Sequence, residues 1–264
     1  MLGMLKGAWR YREFIRGSIR NEFAARFARS RLSGLWLVIH PLAQVAVFAF
    51  VLSGVLSAKL PGIDNRFAYA LYLMAGMFAW ALFSEIVSRS VTVFVDNGSL
   101  LKKIVFPRVN LPIIVCGSAL VNNILLLAAI LIVFGLLGQF PGPSILWLPL
   151  LIGLNLGVAV GLGLVLGVLN VFIRDVGQVV PILLQFGFWL TPIVYTREML
   201  PERYQAWFLL NPLVPLVESY HDVMVYDKAP AVPALAACFV LASVSLAFAL
   251  MLFRRANAEM VDVL

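Results

Sequence analysis

Residues 1–34 carry eight Lys and Arg (Lys6, Arg10, Arg12, Arg16, Arg20, Arg26, Arg29 and Arg31) against two acids, Glu13 and Glu22. The next 23 residues, Leu35 to Ser57, carry no Asp, Glu, Lys or Arg at all. A basic segment that stops at an apolar run of membrane-spanning length sets both class and orientation. The chain reads as an integral membrane protein with a cytoplasmic N-terminus.

Composition excludes a water-soluble domain. The chain is 62% hydrophobic and 12% charged, where a soluble domain has about 25% charged residues. With so apolar a surface, the bilayer has to be the solvent. The net charge of +7 does not point to nucleic acid, because the cations sit at membrane edges, where they orient helices. Cys116 and Cys238 both lie inside apolar runs, so they read as small packing residues rather than a disulfide or zinc framework.

Six runs approach the roughly 20 residues that a span needs: about 35–57, 67–92, 111–137, 145–172, 178–196 and 232–253. The expected fold is therefore an all-α membrane protein with six transmembrane helices. Residues 1–34 form a cytoplasmic interface segment, and 35–264 form the membrane domain. Short interfacial or re-entrant helices are expected between spans 5 and 6, because Trp207 to Val217 is apolar but too short to cross. With the N-terminus inside, 15 of the 20 basic residues fall on inner segments and 5 on outer ones, as the positive-inside rule requires. Six spans return the C-terminus to the cytoplasm.

Ile15, Ile19, Phe23 and Phe27 recur every four residues, and Arg12, Arg16 and Arg20 form a second stripe. This predicts an amphipathic helix on the inner membrane surface. It serves either as an anchor to anionic lipid or as an element that transmits motion. The fourth span holds Gly157-x-x-x-Gly161 and Gly163-x-x-x-Gly167. Such small-residue pairs let helices approach closely, within the bundle or at a dimer seam.

No catalytic constellation emerges. There is no G-x-x-x-x-G-K-[ST] and no H-E-x-x-H. Glu85 and Arg89, four residues apart near an inner end, read as a structural ion pair. Glu218 and His221 share a helix face, either as a proton relay or, more simply, as a solvated loop helix. Spans almost free of ionisable residues argue against ion-coupled transport. A transporter lacking both an ATPase motif and an ion-coupling site draws its energy from another subunit.

Several ordered segments carry a resemblance. Arg29-Ser-Arg-Leu-Ser-Gly-Leu-Trp-Leu-Val-Ile-His-Pro-Leu-Ala-Gln44 resembles the entry to the first span of ABC-2-type polysaccharide export permeases. Leu101-Lys-Lys-Ile-Val-Phe-Pro-Arg-Val-Asn-Leu-Pro112 is similar to their cytoplasmic coupling segment, and Val171-Phe-Ile-Arg-Asp175 resembles their second inner loop. Trp189-Leu-Thr-Pro-Ile-Val-Tyr195 and Leu210-Asn-Pro-Leu213 are similar to the end of their fifth span and the helices beyond. O-antigen exporters are the nearest likeness, with capsule and teichoic-acid exporters close by.

The resemblance implies a homodimeric permease in the bacterial inner membrane, each copy binding one separate P-loop ATPase subunit. ATP and Mg would be bound by that partner, and this chain would hold no cofactor or metal. The substrate would be a polysaccharide on a polyprenyl diphosphate lipid. Coupling would fall to Leu101, Lys102, Lys103, Phe106, Pro107, Arg108, Arg174 and Asp175. Sugars stack on aromatic faces, which makes Phe48, Phe50, Tyr69, Tyr72, Phe78, Trp80, Trp189 and Tyr195 candidates for lining the pathway; the same residue types also mark bilayer interfaces. Arg26, Arg29 and Arg31 are candidates for the lipid diphosphate. The rival readings are an ABC-2 permease for a drug or small lipid, and a membrane-embedded sugar-phosphate transferase.

Overall fold

Proline placement sets much of the helical layout. Pro112, Pro149, Pro215 and Pro233 each sit in the first turn of a helix, where a missing N–H leaves no hydrogen bond unmade. Pro41 and Pro181 lie inside helices instead. The computed structural model describes residues 10–29, 33–50, 67–103, 107–199, 201, 203, 211–256 and 259–263. Among these residues the chain is helical, with turns and no strand.

The helices run α1 (Arg12–Arg29), α2 (Ser33–Ala49), α3 (Ala68–Asp96), α4 (Gly98–Lys103), α5 (Asn110–Leu136), α6 (Leu148–Phe172), α7 (Val176–Leu190), α8 (Val214–Met224), α9 (Val232–Ala256) and α10 (Met260–Val263). A 3-10 turn, Pro143–Trp147, leads into α6, and another spans Arg197–Met199.

Four segments among the described residues are long and apolar enough to cross a bilayer: Ala68–Asp96, Asn110–Leu136, Pro143–Phe172 and Val232–Ala256. They correspond to the second, third, fourth and sixth expected spans. Part of the first, 51–57, lies outside the described residues. The fifth ends earlier than its apolar run suggests. Thr191 precedes Pro192 and is extended (φ −108°, ψ 138°), because the proline ring excludes the helical conformation from its predecessor. Helix α7 therefore has 15 residues, about 22 Å of rise. Residues 191–194 turn back and are buried.

Helix α3 is the central element, packed by α5, α6, α7, α8 and α2. Helix α6 reaches it through glycine. A Cβ at Gly167 would stand 2.3 Å from the Ser90 carbonyl oxygen, and one at Gly163 2.8 Å from Ser90 Cβ. On another side of α6, a Cβ at Gly157 or Gly161 would meet Ala242 or Ser245 of α9. The small-residue pairs of the fourth span thus serve packing within one chain, where close approach replaces a hydrophobic drive that lipid does not supply. Asn155 and Asn170 of α6 donate to the Ala79 and Val91 carbonyls of α3 at 2.8 and 2.9 Å.

Arg12–Arg29 of the N-terminal segment is helical, and Ile15 and Ile19 of its apolar stripe pack on protein. Ile15 is buried, and Ile19 fills the space that a side chain at Gly117 of α5 would need. Helix α8 was expected to be interfacial or re-entrant, with Glu218 and His221 on a solvated face. It packs against α3 and α9 with Tyr220 and His221 buried, so the solvated reading does not hold for His221. Its wide apolar face accounts for that burial. Trp207, at the start of the apolar stretch, lies outside the described residues.

Candidate functional site

Helices α2, α3, α5 and α7 enclose a groove of about 600 Å³. Both internal prolines, Pro41 and Pro181, line it. One wall is aromatic: Phe48, Trp80, Phe188 and Trp189. Phe188 is their hub, 6.3 Å from Phe48 in a stacked arrangement and edge-on to Trp80 and Trp189 at 6.0 and 5.5 Å. The other surfaces carry His40, Gln44, Ser84, Glu85, Ser88, Asn122, Asn123 and Gln185. The Oδ1 atoms of Asn122 and Asn123 are buried and accept no hydrogen bond. Polar groups at this density in an apolar chain belong to a cavity or a path rather than a lipid face.

One end of the groove closes on an ion network. Arg89 reaches Glu85 at 3.3 Å, one turn back on α3, and Glu22 of α1 at 2.9 Å. Ser118 of α5 donates to Glu22 at 2.6 Å, and Asn122 donates to Glu85 at 2.6 Å. The three ionic side chains are each about three-quarters buried. The expected Glu85–Arg89 pair is present with a third member. The amphipathic helix supplies it, 67 residues away in sequence.

Beyond this network, α3, α5, α6 and α9 converge with α4 and α10. Leu101, Val171, Phe253 and Met260 share one apolar cluster. Leu101 is buried, whereas Lys102, Arg174 and Asp175 are exposed and Pro107 and Arg108 half-buried. Those candidate coupling residues lie on elements gathered at one end of the bundle. Phe106 and Arg31 lie outside the described residues, as do the side chains of Lys103, Arg26 and Arg29.

The candidate aromatics divide. Phe48, Trp80 and Trp189 line the groove. Phe50 is exposed at the end of α2, and Phe78 is buried edge-on to Tyr220. Tyr69, Tyr72 and Tyr195 hold the chain that follows α7. Tyr69 donates to the Val194 carbonyl. Tyr72 reaches the Pro192 and Tyr195 carbonyls at 3.2 and 3.1 Å. Tyr195 donates to the Trp189 carbonyl at 2.5 Å.

Close by, His221 stacks on Tyr72 with centroids 3.7 Å apart and planes 17° apart. It is 2% exposed. Burial lowers its pKa to about 3, with a backbone interaction from Tyr72 acting the other way. Burial also raises Asp222, against the pull of Lys228. From Tyr72 to Arg89 is 17 residues of α3, so this cluster and the ion network stand about 25 Å apart.

Phe188 and the amides escaped the sequence reading. Their signal was Gln44, Asn122, Asn123 and Gln185 inside otherwise apolar runs, which averaged hydropathy conceals.

The ABC-2 type transporter family profile matches residues 15–225. An O-antigen export system permease protein RfbA of Klebsiella pneumoniae is 27% identical over 203 residues, 76% of each chain. The protein of that name in Myxococcus xanthus is 25% identical over 87% of each chain. The polysialic acid transport protein KpsM of Escherichia coli is 26% identical over 77% of this chain and 78% of its own.

Proposed function

The chain belongs to the ABC-2 type transporter family, and from that premise we propose that it is the membrane subunit of an ATP-driven exporter of lipid-linked polysaccharide. The similarity to O-antigen and polysialic acid transport proteins supports this reading. Two copies form the pathway in the bacterial inner membrane, each with six spans and both termini in the cytoplasm. Each copy binds one ATPase subunit. In this arrangement α2 and α7 complete the first and fifth spans, and the end bearing α4 and Arg174 faces the cytoplasm.

The observation that carries the reading is the groove. Its aromatic wall offers faces on which sugar rings stack, and a face contact tolerates sliding. The unpaired Asn122 and Asn123 carbonyls accept sugar hydroxyls. Among the described residues Glu85 is the one Asp, Glu, Lys or Arg lining it, and Arg89 is engaged by two carboxylates. The groove therefore suits the uncharged glycan. The diphosphate falls to the basic N-terminal segment, with Arg26, Arg29 and Arg31 as its contacts.

Coupling passes through two connections, α3–α5 and α6–α7. Leu101 anchors α4 in the bundle, while Lys102, Arg174 and Asp175 meet the ATPase. Pull-down of the tagged chain from native membranes, with mass spectrometry, tests the assembly; a P-loop ATPase at one-to-one ratio is expected. Deleting the gene should leave lipid-linked glycan inside the cell. A preparation without an ATPase after cross-linking, or a deletion strain without that intermediate, would overturn the reading.

A further inference from the structure

A second cavity, of about 310 Å³, lies at the Tyr72 end of α3, between that helix, the Arg197–Met199 turn and α8. Tyr72, Thr196, Arg197, Glu218, His221 and Asp222 line it. Thr196 and His221 are 3% and 2% exposed. The Thr196 hydroxyl and His221 Nδ1 make no hydrogen bond, while His221 Nε2 packs against Gly76 of α3. Buried polar atoms rarely go unpaired, so two on residues lining one cavity call for a partner within it. The space far exceeds a single water, whose share of the liquid is about 30 Å³.

The walls define the chemistry of the occupant. Glu218 and Asp222 are one turn apart on α8 and share a face. Among the described residues Arg197 is the single basic side chain of the lining, with Lys228 acting on Asp222 from outside it. Two carboxylates against one guanidinium disfavour an anion such as a diphosphate. Among the described residues, no three His, Cys, Asp or Glu are placed to hold a metal ion. A hydrocarbon would leave the polar atoms unpaired. A neutral ring bearing several hydroxyls fits: it donates to the carboxylates and the imidazole and accepts from Arg197 and Thr196. The flat Tyr72–His221 stack fixes the imidazole edge.

We propose that this cavity is a second saccharide subsite, which holds one neutral monosaccharide unit of the exported glycan at the end of the bundle remote from the ion network. The proposal rests on the export reading above. The subsite takes a sugar only after it has passed the groove, so it retains the emerging polymer against return.

The chain has two histidines, His40 and His221, and His40 lines the groove. One experiment therefore reads each site separately. The full-length protein, with ring-labelled histidine, is placed in lipid nanodiscs. Methyl glycosides of mannose, galactose, rhamnose and N-acetylglucosamine are titrated in at millimolar levels, with inorganic diphosphate as the anionic probe. A His40→Gln variant assigns the two imidazole signals. The expected result is a saturable shift of the His221 signal by at least one glycoside and none by diphosphate. Thr196→Val keeps the shape and removes one hydroxyl, so it should weaken that response at least about fivefold, the loss of one hydrogen bond. A His221 signal that no glycoside moves, that diphosphate alone moves, or that responds equally in Thr196→Val overturns the proposal. A moving His221 beside a deletion strain with no trapped glycan keeps the saccharide site and removes the export role.

Discussion

Glu22 on the amphipathic helix and Arg89 on the central helix are joined at 2.9 Å, and Arg89 also holds Glu85, which lines the groove. The surface helix is thereby tied to the groove through one guanidinium. Movement of α1 would be felt at Glu85 and Asn122 through discrete charge-assisted bonds.

The first prediction concerns that link. Glu22→Gln keeps an acceptor for Ser118 and should cost about 1 kcal/mol. Arg89→Met strands two carboxylates that are about three-quarters buried and should cost more, about 2–3 kcal/mol after allowance for their partial exposure. Combining them should cost less than the sum by at least about 0.5 kcal/mol. Denaturant midpoints of the four proteins in detergent measure this. Strict additivity would mean that the two residues are not coupled.

A second prediction follows from the packing of α6. At Gly167 a methyl group would meet the Ser90 carbonyl at 2.3 Å, whereas at Gly153 it would meet nothing within 4 Å. Gly167→Ala should therefore destabilise by about 1–3 kcal/mol through overpacking. Gly153→Ala should be neutral or stabilising by up to about 1 kcal/mol through helix propensity. Thermal unfolding of the two variants beside the parent decides it; equal effects would refute the close contact between α6 and α3.

A third prediction concerns pH. His221 is neutral in the folded protein because burial lowers its pKa from 6.5 to about 3. The unfolded chain binds this proton and the folded chain does not. His221 therefore contributes full stability above pH 6.5 and loses it as pH falls towards 3, with a slope of up to about 1.4 kcal/mol per pH unit. Asp222 has the opposite sign, since its raised pKa favours the folded state below 3.8 and that gain fades as pH rises. Glu218 and Arg197 share the cavity with both. His221→Phe should flatten the acid limb of a stability-against-pH curve between 6.5 and 5. An unchanged limb would assign the acid sensitivity elsewhere.

Much of the fold was legible because α3, α5, α6 and α9 are long and apolar, and in a bilayer such runs have one outcome. The glycines of α6 announced close packing, but a spacing of four does not say which neighbour fills the gap; Ser90 and Ser245 do. Glu85 and Arg89 were readable as an i, i+4 pair, whereas Glu22 was not, because no local spacing links residues 67 apart. His221 was misjudged for a related reason. An 11-residue amphipathic helix looks the same in solvent as under a bundle, and only the tertiary contact with Tyr72 and Gly76 distinguishes the two. In the groove, Phe48, Trp80 and Trp189 were legible as aromatics. The amides that share it were diluted by their apolar neighbours.

The last prediction separates anchoring from docking at the α4 end. Leu101 is 7% exposed and packs with Val171 and Met260, while Lys102 and Arg174 are exposed. If the exposed cations meet an ATPase, Lys102→Glu with Arg174→Glu should leave the amount and thermal stability of the protein within about 0.5 kcal/mol of the parent, as surface changes do. The same double variant should lose co-purification of the ATPase and export of polysaccharide to the cell surface, because like charge placed at an interface costs several kcal/mol. Leu101→Ala should do the reverse first, lowering stability by about 2–4 kcal/mol through the cavity it leaves, with export falling only as the protein is lost. Surface polysaccharide per molecule of permease, measured alongside the melting temperature, resolves the two effects. Normal export per molecule in the charge-reversed protein would move the docking surface away from these connections.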